Sequence, residues 1–292
     1  MGTKYYVQTV APRSLRPYVG RSYDRPELVY GPVSSRSAAL SGIARLVKKN
    51  SLKPTAASGG TTTGRRKVNN IVLVLDRSQS MNRLRQAAVD ALNSNIDTIA
   101  REAVRTGQLT RVAVYTFASD VRCVRQLQDV AELSRLSQFD ISCGGMTALF
   151  DATGVAIDDL LRVPVKNDED VSYLVQVITD GGENASYRYG NSNDSSKLTA
   201  LMARVQNTDL WTLTFLVPSN QGGRQTLTGM GIPAGNIAEW EQSVAGVQAY
   251  SQTNMRSYSN YFTSRSAGQT SVKSFYTDLS NLKTADVKND KS

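Results

Sequence analysis

Five residues of two chemical types stand at spacings that let them share one ligand. Asp76, Ser78 and Ser80 alternate in the stretch Leu75-Asp76-Arg77-Ser78-Gln79-Ser80. In extended or turning chain, residues two apart point the same way. Thr147 ends Cys143-Gly144-Gly145-Met146-Thr147, 67 residues after Ser80, and Asp180 opens Asp180-Gly181-Gly182, 33 residues later. Together they offer two carboxylates and three hydroxyls, all oxygen. Oxygen-only sets select hard cations, Mg²⁺ foremost, with Mn²⁺ and Ca²⁺ as alternatives. Two carboxylates just balance a divalent ion, so the metal stays electrophilic and keeps an octahedral position open. A carboxylate from another molecule is the natural sixth ligand.

The chain contains no histidine. That excludes Ser-His-Asp and Cys-His catalysis, a His general base and a His-ligated zinc. Asp-x-Ser-x-Ser also lacks the second aspartate of an Asp-x-Asp phosphotransfer loop, and no acid–base pair stands out, so an enzyme is not expected. Gly59 and Gly64 have phosphate-loop spacing, but Arg65 and Arg66 follow where Lys and Ser/Thr are needed, and a strand comes next instead of a helix.

The elements that must position the five residues follow from periodicity. Ile71 to Leu75 is a continuous apolar run, as in a strand covered on both faces. Further strands are expected over 111–118, 173–179, 210–217 and 236–240, with 121–127 pairing back as an antiparallel edge hairpin. Helices are expected over 82–106, 148–161, 194–207, 223–230 and 243–266, the first ended by Gly107. Such alternation predicts an α/β fold with a doubly wound, mostly parallel, Rossmann-like sheet. In such sheets ligands bind outside the carboxyl ends of the strands, where Asp76 and Asp180 fall.

The motifs LDRSQSM, GGMTALFDAT and VITDGGEN, in that order, resemble those of the von Willebrand factor type A (vWA) family with a complete metal-ion-dependent adhesion site. The resemblance covers about 71–266. It implies that Ser78, Ser80 and Thr147 contact the metal directly, while Asp76 and Asp180 act mostly through water and hold the serines. Gln79 departs from the glycine that related intracellular sequences often carry, but removes no ligand. DRSxSM and TALFDA are similar to bacterial and phage-associated intracellular members, including the tellurium-resistance type. The implied function is Mg²⁺-dependent binding or scaffolding of a protein partner that supplies an acidic side chain. An ATPase or an assembly such as a phage or conflict-system particle would be a fitting partner.

The chain has 292 residues and a net charge of +9. Residues 1–70 hold 13 Lys and Arg against Asp24 and Glu27, a net of +11, which leaves −2 for the rest. Polyanion or nucleic-acid contact is therefore an expectation for that segment only. Residues 1–50 read as a small basic ββα-like unit, with strands at 5–10 and 27–30 and a helix over 36–49. Residues 51–70 read as a Gly/Ser/Thr/Pro-rich linker, 71–283 as the vWA domain and 284–292 as a disordered tail. Two cysteines suit a reducing compartment. MGTKYYVQTV has no signal-peptide hydrophobic region and no apolar run reaches membrane-helix length. The expectation is a cytoplasmic protein without membrane contact.

Several neighbours of the motif have plain readings. Asp151 suits a first-turn acid on a helix dipole, or a hydrogen-bond partner of the site. Glu183 either rims the site or is a solvated loop acid. Cys143 reads as a small packed residue. Tyr250, Arg256, Tyr258, Tyr261 and Arg265 read as packing plus a solvated face rather than a nucleic-acid stacking surface.

Overall fold

The computed structural model describes residues 64–219 and 221–276 and, before them, three strands. It divides into two compact units at Gly64/Arg65. In the first unit, β1 (Tyr5–Val10) pairs antiparallel with β2 (Ser14–Val19) on one side and β3 (Leu28–Val33) on the other. The sequence reading lacked β2, because Pro17 breaks its pattern. Proline is tolerated on an edge strand, which β2 is. The helix expected at 36–49 and the tail at 284–292 lie outside the described residues.

The second unit is a six-stranded sheet ordered β6-β5-β4-β7-β8-β9. Its strands are β4 (Arg66–Asp76), β5 (Leu109–Phe117), β6 (Val121–Asp129), β7 (Glu169–Ile178), β8 (Trp211–Pro218) and β9 (Ile237–Trp240). All pairings are parallel except the β5–β6 hairpin at one edge. The helices are α1 (Arg85–Thr106), α2 (Leu149–Leu161), α3 (Ser196–Gln206), α4 (Gly223–Gly229) and α5 (Val244–Ser266). Gly107 adopts the left-handed cap conformation that stops α1, and Ser243 caps α5 by accepting from the Gly246 amide at 3.0 Å.

Two apolar layers sandwich the sheet. Ile71, Leu73 and Leu75 pack with α1 and α5 on one face; Val72 and Val74 pack with α2, α3 and Leu227 of α4 on the other. Every side chain from Ile71 to Leu75 is essentially inaccessible. Burying each contributes roughly 1.5–3 kcal/mol. That fixes the central strand, and with it the position of Asp76 at its end.

One boundary differs from the sequence reading. β4 begins at Arg66, so 66–70 is strand and not linker. Its first residues are polar, yet Asn69 is fully buried and satisfied. Its amide donates to Gln108 Oε1 at 2.8 Å, and its Oδ1 accepts from Ser172 Oγ at 2.9 Å and Arg265 Nε at 3.0 Å. The chain also returns to the core after α5. The Phe275 amide donates to Asn236 Oδ1 at 2.9 Å, the Tyr276 amide donates to the Gly235 carbonyl at 2.8 Å, and both rings are buried.

Candidate metal centre

From β4, the first strand of this unit, the chain winds to β5 on one side and later to β7 on the other. The carboxyl ends of β4 and β7 therefore border the switch point of the sheet. Asp76 is the last residue of β4, and Asp180 comes two residues after β7. The sequence-predicted carboxylates are thus brought together by the pairing of these strands.

Asp76 is 1% exposed. Its Oδ1 accepts from the Ser78 amide at 2.7 Å, which turns the chain so that Ser78 faces back over the strand end. Its Oδ2 accepts from Thr179 Oγ1 at 2.6 Å. Ser80 Oγ lies 2.8 Å from Asp180 Oδ1, to which it donates, and 3.1 Å from Ser78 Oγ. With the Ser80 proton directed to Asp180, Ser78 donates to Ser80. An unbroken chain of contacts therefore runs Asp76–Ser78–Ser80–Asp180. Trp240 Nε1 donates to the Thr179 carbonyl at 3.0 Å and Gln242 donates to the Asp180 carbonyl, so the β7 end is held from the β9 side.

Thr147 does not sit at a strand end of its own. The loop that carries it lies across the ends of β4 and β5. The Gly144 amide donates to the Arg77 carbonyl at 2.9 Å, the Gln79 amide to the Gly145 carbonyl at 3.2 Å, and the Ala148 amide to the Ala118 carbonyl at 2.7 Å. Gly145 has φ +80°, and a Cβ there would stand 2.8 Å from Ser119 Oγ, so this close approach requires glycine. The Thr147 amide donates to Asn184 Oδ1 at 2.7 Å. Thr147 Oγ1 lies 3.4 Å from where a Gly181 Cβ would be, which sets the hydroxyl beside the Asp180 loop.

The electrostatics lack a counter-charge. Burial pushes Asp76 up to about 6, with Asp180 adding to the rise, and burial likewise raises Asp180. Among the described residues no Lys or Arg forms an ion pair with either. The nearby Arg77 guanidinium is committed to Asp120 and to the Ser142 carbonyl at 3.1 Å. Two buried carboxylates without a cation, flanked by hydroxyl oxygens, fit a divalent ion. Among the described residues no three His, Cys, Asp or Glu cluster as a metal site. Any ion here would depend on the hydroxyls.

The neighbouring residues resolve into supports. Asp151 is buried and accepts from the amides of Tyr187, Arg188 and Tyr189 at 3.2, 2.9 and 2.9 Å, so it anchors the loop after Asp180 to α2. Glu183 is not a solvated acid. Its carboxylate accepts from the Phe150, Ala185 and Ser186 amides and from Ser186 Oγ at 2.6–2.8 Å, and it caps α2 from outside. Cys143 is half-buried, with its thiol raised chiefly by burial. Tyr250, Tyr258, Tyr261 and Arg265 are buried, which removes them as a stacking surface. Sequence reasoning missed Thr179, Asn184 and Gln242. Of these only Thr179, next to Asp180 at the strand end, carried a local signal.

Residues 70–276 match the model of the von Willebrand factor type A domain. The chain belongs to this family. Similar solved structures include the pilus adhesin SpaC from Lactobacillus rhamnosus GG, at 15% identity over 68% of this chain and 31% of that one, TM-score 0.51. A von Willebrand factor type A protein from Catenulispora acidiphila is 17% identical over 66% of this chain and 43% of that one, TM-score 0.47. Proximal thread matrix protein 1 from the mussel byssus, solved with a zinc-occupied adhesion-site motif, is 17% identical over 67% and 46%, TM-score 0.45. The chain spans less than half the length of each of these three proteins. At this identity the SpaC match shows a shared fold. No curated protein matches the chain. Among the described residues of this vWA protein, no helix is long and apolar enough to cross a membrane.

Proposed function

We propose that this vWA domain is a non-enzymatic, metal-dependent protein-binding module whose ion accepts an acidic side chain from a partner. Ser78, Ser80 and Thr147 would hold the ion directly. Asp76 and Asp180 would balance its charge and orient the serines, which completes a metal-ion-dependent adhesion site. Mg²⁺ is the ion this hard oxygen set favours, with Mn²⁺ and Ca²⁺ as alternatives. When bound, the ion supplies an electrophilic position for a carboxylate. The observation that carries the reading is the pair of buried, cation-free carboxylates tied to Ser78 and Ser80 by hydrogen bonds of 2.7–3.1 Å. The zinc-occupied motif of the mussel protein offers a precedent within the fold. The motif resemblance to bacterial and phage-associated members supports a partner in an assembly or an ATPase complex.

A pull-down with the full chain, in Mg²⁺ and then in EDTA, tests this reading. A partner retained in Mg²⁺ and released by chelator is expected. Partners that bind equally in both conditions would refute it.

A further inference from the structure

A cavity adjoins the loop that follows Asp180. It has a volume of about 90 Å³ and lies between the ends of β7 and β8 and the helices α2 and α4. Leu149, Phe150, Val217, Pro218 and Leu227 wall it, and the Gly181-Gly182 backbone borders it. Gly181 links this cavity to the candidate metal centre, since it lines the cavity and a Cβ there would stand 3.4 Å from the Thr147 hydroxyl oxygen. Gly182 leaves open space where a side chain would stand. The one acid on the lining, Glu183, already accepts four hydrogen bonds from α2 and its own loop, so its oxygens are occupied.

Size and chemistry specify the occupant. A cavity of roughly 150 Å³ holds a benzene molecule. One of about 90 Å³, walled mainly by apolar side chains, suits a single branched aliphatic side chain better than an aromatic ring. Its lining begins at Gly181, the residue after Asp180, while consecutive residues of a bound peptide stand about 3.8 Å apart. We propose that this cavity receives a Val, Leu or Ile side chain of the partner, within two positions of the acidic residue that ligates the metal. The inference rests on the metal-dependent reading above and names the class of partner segment: an acidic residue with an aliphatic neighbour. The metal supplies a strong but unselective contact, and the cavity supplies the discrimination.

The test is selection of a random displayed-peptide library on the immobilised full chain in Mg²⁺, with elution by EDTA. Calorimetry measures Mg²⁺ binding separately. Enrichment of Asp or Glu with Val, Leu or Ile within two positions is expected. Gln221→Trp and Thr226→Phe alter exposed residues at the cavity. Each should weaken the selected peptides roughly tenfold or more with unchanged Mg²⁺ affinity. Acid-bearing, EDTA-eluted peptides that show no aliphatic preference, or that favour aromatic residues, would overturn the cavity assignment alone. So would selected peptides that bind both variants undiminished. If Mg²⁺ binds but no acid-bearing peptide elutes with EDTA, the carboxylate-ligand reading fails, and this inference with it.

Discussion

At the scale of single residues, the candidate centre is an electrostatic debt held in place by hydrogen bonds. Asp76 stays buried although its charge has no partner. Its unfolded value is 3.8 and its folded value about 6. A carboxyl raised on folding contributes stability below its unfolded pKa and loses it as pH rises through the folded one. Without metal, Asp76 should therefore cost the fold on the order of 3 kcal/mol at neutral pH. Asp76→Asn should melt higher than wild type in EDTA at pH 7.5, with the gap narrowing to about a third by pH 4.5 and closing only below the unfolded value of 3.8. A gap of the same size at both pH values would contradict this. In Mg²⁺ the order should reverse, because the ion needs the ionised carboxylate and the variant cannot supply it. Asp76, Ser78 and Ser80 were legible because their alternation is local, and Thr147 and Asp180 because GGMTALFDAT and VITDGGEN follow in the family's order. Thr179, Asn184 and Gln242 were not, because their contacts join segments 37 to 103 residues apart.

At the scale of elements, two loops carry the geometry that the strands cannot. The loop 142–147 delivers Thr147 by lying across β4 and β5, and Gly145 permits that approach. Gly145→Ala should lower stability by about 1–3 kcal/mol and weaken Mg²⁺ binding more than it lowers the melting temperature would suggest. Calorimetry beside thermal melts checks both effects. The loop after Asp180 hangs on Asp151. Asp151→Ala strips three backbone amides of their acceptor and should cost about 2–4 kcal/mol. Hydrogen exchange should then rise at Tyr187 to Tyr189 first, and unchanged protection there would contradict the anchoring role. Strands and helices over 71–266 were legible because apolar periodicity marks both. The start of β4 was not, because Asn69 and Asn70 look like linker until Gln108, Ser172 and Arg265 are seen to satisfy Asn69. Phe275 and Tyr276 were missed as core because an isolated aromatic pair has no period.

At the scale of the whole molecule, charge and fold are divided between two units. Residues 1–64, the first unit, carry ten Lys and Arg against Asp24 and Glu27, a net of +8, and the vWA unit from Arg65 onward carries +1. Any binding of duplex DNA should therefore be salt-sensitive and should disappear when residues 1–64 are removed, with Mg²⁺ affinity unchanged. DNA binding retained by residues 65–292 would contradict that division. The alternation of strands and helices made the parallel sheet and its binding edge legible from sequence, since a right-handed crossover leaves few other topologies. The absence of histidine, which excludes so much chemistry, suits a centre built from hydroxyls and carboxylates. The central claim is that this centre binds a divalent ion through those residues. Calorimetric titration of Mg²⁺ into the full chain at pH 7.5, beside Asp76→Ala and the Ser78→Ala, Ser80→Ala double variant, tests it directly. The account predicts one site per chain in the wild type and none in either variant, with both variants still folded. No heat of binding in the wild type, or undiminished binding in folded variants, would contradict it.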